Sequence, residues 1–215
     1  MRHTLRHHLT LRLAVGLLVA TCWTGTGCRP QNEPPTEPAE PSAAPSESSE
    51  SAQALKETAM AFTLTSSAFE NDGRIPKPYS GEGEDASPPL AWSDPPAGTQ
   101  AFALICDDPD APVGTWDHWL IWNLPGDTHQ LPEGIPTTPT VDGLGGTAQG
   151  KNGWGKIGYG GPMPPPGHGD HHYHFVLYAL DAKLDLAPGA DKQALMKAME
   201  GHVLGKAELT GLYSR

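Results

Sequence analysis

Residues able to do chemistry crowd into three stretches of the chain. "CDDPDAP", residues 106–112, carries Asp107, Asp108 and Asp110 on a segment stiffened by Pro109 and Pro112. "GTWDHWLIWN", 114–123, sets His118 at the head of an apolar run. "YGGPMPPPGHGDHHYHF", 159–175, places His168, His171, His172 and His174 behind a proline- and glycine-rich lead-in. A carboxylate beside an imidazole favours the charged ring and fixes its orientation, and two such rings with a tyrosine hydroxyl present donors to phosphate or carboxylate oxygens. Prolines bring no N–H, so the neighbouring glycines are the expected backbone donors.

The four histidines cannot all converge. Along a strand, His171, Tyr173 and Phe175 share one face, and His172, His174 and Val176 share the other. By the same alternation His118 shares a face with Leu120 and Trp122, opposite Trp119 and Ile121. A zinc site needs three or four converging ligands, for which Asp108, His118 and His171 are the candidates; the expectation is no metal and no cofactor. Hydrolysis needs a nucleophile held beside a base, and Ser66, Ser67, Ser80, Ser87 and Ser93 stand in no elbow-like spacing. Cys106, inside "AFALICDD", reads as a buried inert thiol. The chain is therefore expected to bind rather than to catalyse. His168 and His172 read as exposed, His174 as packed among core neighbours, Asp107 as a strand end, and Asp110 as a loop tie through its own backbone. Trp92, Trp119, Trp122 and Trp154 read as core or loop packing.

The elements that must position these groups are mostly strands. "AFTLTS" (61–66), "QAFALIC" (100–106), "HWLIWNL" (118–124), "HFVLYAL" (174–180) and "AELTGLY" (207–213) are short apolar runs bounded by turn formers. Three of them are apolar on both faces and belong inside packed sheets. "GADKQALMKAMEGHVLG", 189–205, predicts a helix capped by Asp191, with Leu195, Met199 and Val203 on one face. The expected architecture is mostly β, a sandwich of two packed sheets with one or two short helices near the C-terminus.

The N-terminal quarter reads differently. Arg2, Arg6 and Arg12 precede an apolar core at 13–20, and small residues lead to Cys28, a pattern that makes residues 1–27 an export signal. Cys28 is the expected lipidation site, Cys22 the competing one, and release into the periplasm or medium without lipid the alternative. Residues 28–59 contain six prolines, six glutamates and one leucine, which predicts a disordered tether. Residues 60–215 remain for one domain. Loss of three arginines with the signal takes Lys+Arg from 14 to 11 against 25 acids, so the net charge moves from −11 to −14. Such a chain is a poor match for nucleic acid.

The motifs, taken together and in order, also resemble a known family. "DPDAP" at 108–112, His118 followed by Trp119, and "GGPMPPPGHGDHHYHF" at 160–175 are similar to the phosphatidylethanolamine-binding protein family, in its bacterial Raf-kinase-inhibitor-like branch. "IPKPYSGEGEDASPPLAWSDPPAGTQAFAL" upstream and "GHVLGKAELTGLYSR" at the end resemble it too, so the likeness spans 62–215. It implies a β-sandwich with a small anion pocket lined by Asp108, His118, His171 and Tyr173, and rimmed by Trp116, Gly161, Pro164 and Pro165. The position after His171 is commonly Arg in the family and is His172 here. The resemblance implies a phosphate or phosphorylated head group as ligand. Inhibition of an envelope protease is the alternative, since an exported copy cannot meet a cytosolic kinase.

Overall fold

The computed structural model describes residues 61–215. The export signal and the tether, with Cys22 and Cys28, lie outside the described residues. Among the described residues nine strands form two sheets. The smaller has the order β1 (Thr63–Thr65), β3 (Leu90–Ser93), β6 (Gln130–Leu131). The larger runs β2 (Gly73–Arg74), β9 (Val203–Tyr213), β8 (His171–Leu180), β4 (Ala101–Asp108), β5 (Trp116–Pro125), β7 (Ala148–Gln149). Its four long strands pair antiparallel, and only β2 joins in parallel, against β9.

The expected mostly-β sandwich is the observed one. Burial follows from strand alternation. Phe102, Leu104 and Cys106 of β4 point to the layer between the sheets, with Trp119, Ile121, Phe175, Leu177, Leu90 and Trp92. Ala103 and Ile105 point the other way, and meet Leu120, Trp122 and Leu180 under a helix. A sheet covered on both faces is why these runs carry no polar alternation.

That helix, α1, spans Lys192–Met199 and ends well short of the predicted 205. Asp191 caps it as expected, its carboxylate accepting from the Ala194 N–H at 2.9 Å. Gly201 at φ 80° then turns the chain, and Val203, expected on the helix face, instead opens β9 and is exposed. Leu195 and Met199 are buried on the sheet, each contributing about 2 kcal/mol of burial free energy. Lys192 adds a polar clamp, its ammonium meeting Asp107 at 2.5 Å and Asp117 at 2.9 Å. Asp107 is thus a paired group rather than a solvated strand end. Among the described residues no helix is long and apolar enough to cross a membrane.

Candidate functional site

Four polar residues are buried like core: Asp108 is 3 % exposed, His118 3 %, His171 2 % and Tyr173 1 %. They come from the ends of three adjacent strands. Asp108 closes β4 on the face of Leu104 and Cys106, and His171 and Tyr173 open β8 on the face of Phe175. His118 reaches them by an irregularity. Cys106 pairs with Trp119 but Asp107 pairs with Asp117, so His118 is an extra residue in β5. This bulge overturns the simple alternation that put His118 with Leu120 and Trp122. Asp117 turns to Lys192, while His118 and Trp119 both turn to the opposite side; the His118 ring packs edge-on to Tyr173 with centroids 5.0 Å apart.

Together these residues wall a cavity of about 200 Å³, completed by Ala111, Pro112, Val113, Trp116, Trp154, Met163, Pro164 and Pro165. The aromatic side is a chain of edge-on rings: Trp116 to Trp154 at 5.4 Å, then Trp154 to His118 at 5.1 Å. Trp116 needs Gly153 beneath it, because a Cβ there would overlap the indole.

The two histidines are held differently. The His171 Nδ1–H donates to Asp108 Oδ2 at 2.8 Å, and Asp108 Oδ1 accepts from the Asp110 N–H at 2.8 Å. Both carboxylate oxygens are therefore used, and neither goes to His118. The His118 Nδ1–H donates instead to the Gly160 carbonyl at 2.5 Å. A carbonyl only accepts, so the proton must sit on Nδ1. Burial lowers the pKa of His118, although the Gly160 bond and the charges of Asp108, Asp107 and Asp117 pull upward. Its ring is neutral at neutral pH, with a lone pair at Nε2. The expectation that one carboxylate orients both rings is thus corrected: Asp108 bonds His171 alone.

The Tyr173 hydroxyl is buried and makes no hydrogen bond of ordinary length among the described residues, although it lies near enough to Asp108 to feel a weak attraction. Burial and then the charge of Asp108 raise its pKa, so it stays a donor at all ordinary pH. Burial likewise pushes the Cys106 thiol well up, as suits an inert group. Among the described residues no group of three His, Cys, Asp or Glu is arranged to hold a metal ion.

A profile for phosphatidylethanolamine-binding proteins matches residues 65–214. The chain belongs to the phosphatidylethanolamine-binding protein family. A UPF0098 protein of Pyrococcus horikoshii is 51 % identical over 150 residues, covering 70 % of this chain and 75 % of that one. A UPF0098 protein of Methanothermobacter thermautotrophicus is 51 % identical over 152 residues, 71 % of this chain and 98 % of its own. Among solved structures, Escherichia coli YbcL, described as a new member of the mammalian family, superposes with a TM-score of 0.67 at 31 % identity. It covers 72 % of this chain and 98 % of its own. A phosphatidylethanolamine-binding protein homologue of Chlamydia trachomatis gives 0.65 at 40 % identity with the same coverages.

Of the residues expected to form this family member's pocket, Asp108, His118, His171, Tyr173, Trp116, Pro164 and Pro165 wall the one cavity. Gly161 does not. It lines a neighbouring hollow of about 180 Å³, and its N–H is taken by Asp85 Oδ1 at 2.6 Å. Gly160 also spends its N–H, on the His118 carbonyl at 2.9 Å. The N–H groups of Gly160 and Gly161 are therefore committed to holding the loop.

His168 and His172 are exposed as expected. His174 is not among core neighbours: it lies on the partly exposed face of β8, bonded to Glu208 at 2.6 Å. Asp110 ties the loop through its own backbone N–H, which bonds Asp108, and also outward, its carboxylate accepting from the His172 N–H at 2.9 Å and Nδ1 at 2.7 Å. His172 thus finds an acidic partner of its own where the family commonly has Arg. Val113 and Met163 carry no expectation from the sequence, and Trp154, expected to pack in the core or a loop, lines the cavity mouth. Their signal was weak: large apolar residues isolated between glycines and prolines, now exposed at the cavity mouth.

Proposed function

We propose that the cavity binds a small anionic group, a phosphate or the phosphorylated head group of a larger molecule. The carrying observation is the Tyr173 hydroxyl, a buried donor without a partner beside the His171–Asp108 pair. A buried unpaired donor costs about 1–3 kcal/mol, a cost a ligand oxygen would remove. The volume of about 200 Å³ is below the roughly 300–1,000 Å³ of sites for drug-sized molecules, which suits a head group rather than a whole lipid. Prolines and aromatic rings make most of the wall apolar, which strengthens the few polar contacts within it.

Binding without turnover is the reading, because the only thiol in the described domain is buried and no serine of the described domain lines the cavity beside the two histidines. The protein is proposed to act outside the cytoplasm, held at the cell envelope by lipid on Cys28; the arginine-led apolar run before that cysteine supports this. Calorimetric titration with phosphate, phosphoethanolamine and acetate tests the ligand. His171→Ala is expected to weaken binding of the best of them by about tenfold or more, as the loss of one charge-assisted bond requires. Unchanged binding in that variant refutes the site. Incorporation of a clickable fatty acid, lost in Cys28→Ala, tests the anchor.

A further inference from the structure

The Gly160–Gly161 peptide bond is gripped from both ends. Its carbonyl oxygen, on Gly160, accepts from the His118 Nδ1–H at 2.5 Å. Its N–H, on Gly161, donates to Asp85 Oδ1 at 2.6 Å. Carboxylate, peptide and imidazole therefore form one line of hydrogen bonds with the same polarity. A carboxylate on the N–H side polarises the amide and makes its oxygen a stronger acceptor, so the two bonds reinforce one another. Asp108 does directly for His171 what Asp85 does for His118 at one remove.

The local chain is built to hold Asp85 there. Its backbone is in the left-handed region at φ 57°, uncommon for a residue with a side chain but tolerated by Asp. The following turn is pinned: Ser87 is buried, its hydroxyl accepts from the Ile135 N–H at 2.9 Å, and its carbonyl accepts from Gly134 at 2.9 Å. Opposite, Gly160 and Gly161 are both buried with no space for a side chain. A Cβ on Gly160 would lie 2.8 Å from the Trp154 ring, and one on Gly161 2.5 Å from the Tyr79 carbonyl oxygen. The two hydrogen bonds, one on each side, set the orientation of the peptide plane.

We propose that Asp85 is a positioning residue which, through the Gly160–Gly161 peptide, locks His118 in its Nδ1–H form, so that the cavity offers a hydrogen-bond acceptor at His118 Nε2 and selects anions that carry a proton. Resting on the reading of this cavity as an anion site, the inference names the ligand class: hydrogen phosphate or a monoester with one ionisable hydroxyl left, rather than a fully ionised group. Tyr173 supplies a donor to the bare oxygens, and His118 accepts from the protonated one. Sulfate has the same shape and charge as hydrogen phosphate but brings no proton, and would set an oxygen against the Nε2 lone pair.

Two measurements on the whole protein test this. The first is the nitrogen-15 spectrum of the His118 ring, which separates protonated from bare ring nitrogens. The expected result is protonated Nδ1 and bare Nε2 in the parent; Asp85→Gly tolerates the positive φ at that position but removes the carboxylate that orients the Gly160–Gly161 peptide, so the Gly160 carbonyl is freed to turn from Nδ1 and the tautomers mix. Asp85→Asn keeps an acceptor without charge and should fall between, and it serves if the glycine variant does not fold. A protonated Nε2 in the parent, or identical ring spectra in the parent and the variants, overturns the proposal. The second is titration with inorganic phosphate and with sulfate. The parent should prefer phosphate by about tenfold or more, and Asp85→Gly should bring the ratio within about twofold. Equal binding of the two ions by the parent overturns the selectivity and leaves the anion site standing. Binding of neither ion overturns the anion site, and with it the ligand class, while the ring spectra still decide whether Asp85 sets the tautomer.

Discussion

Tyr173→Phe separates stability from binding more cleanly than any other change in the cavity. The substitution removes one oxygen and leaves the ring, which packs edge-on against His118 at 5.0 Å and is 1 % exposed. In the free protein that oxygen is buried without a partner, and burial followed by the charge of Asp108 raises its pKa. An unsatisfied buried hydroxyl costs roughly 1–3 kcal/mol. It retains some attraction to the nearby carboxylate, so the lower end applies, and the variant should be more stable by about 1 kcal/mol. For a domain of this size that is a rise of about 2–4 °C in Tm. Phosphate binding should move the other way, weakening about tenfold or more, because a donor to a charged oxygen is worth about 1.5–3 kcal/mol. Thermal or urea unfolding together with calorimetry on the same samples reads both. A variant less stable than its parent would show that the hydroxyl already bonds Asp108 productively, and unaltered phosphate affinity would show that it does not face the ligand. Either result refutes the reasoning.

Lys192→Met should cost about 2–3 kcal/mol in urea unfolding, less than a fully buried pair because all three side chains keep some contact with water. It leaves Asp107 and Asp117 facing each other across β4 and β5, so adding Asp107→Asn should recover most of the loss. Burial lowers the Lys192 pKa, but hydrogen bonds to Asp107 and Asp117 raise it by more, leaving it above its ordinary value. The clamp is therefore at full strength below the unfolded-state value of about 10.4 and fades as pH rises through the folded-state one; the parent but not the variant should lose stability there. Gly161→Ala should destabilise by about 2 kcal/mol or more and abolish the short bond to Asp85, since the new methyl would meet the Tyr79 oxygen and Ser80 Cα; an amide proton of Gly161 unmoved in the spectrum of a folded variant would contradict the crowding.

Local pattern carried the strands because β4, β5 and most of β8 are self-contained apolar runs and the end of β9 alternates, and it carried the helix start because Asp191 and Ala194 are three residues apart. The helix end was misjudged where a single residue, Gly201, outweighed a periodicity that continued through Val203. Leu90–Ser93 was passed over as a strand because two prolines precede it and only four residues pair. The cavity residues of Asp108, His118, His171 and Tyr173 were reached through the family resemblance, and the structure does bring them together. What holds them was out of reach. Asp85 stands in "GEGEDASPP", where nothing in composition sets it apart from Glu82 and Glu84. Its partner is 76 positions away, and the bond runs to a backbone atom, which leaves no mark on residue type.

The bulge at His118 shows why such a site resists reading from periodicity. Regular alternation would give Asp117 and Trp119 the same face, yet one must reach Lys192 under the helix and the other must fill the layer between the sheets. An extra residue between them satisfies both demands. It also leaves His118 without an opposite residue in β4, free of the ladder and turned to the layer that ends in the cavity. The ring so released still needs a partner for Nδ1, and β4 offers none, since both oxygens of Asp108 are taken by His171 and the Asp110 N–H. A neutral carbonyl from the glycine loop supplies it. The asymmetry of the two histidines, one held by a charge and one by a peptide, is thus a consequence of strand register, and the anion proposed to bind between them would meet two different partners rather than a matched pair.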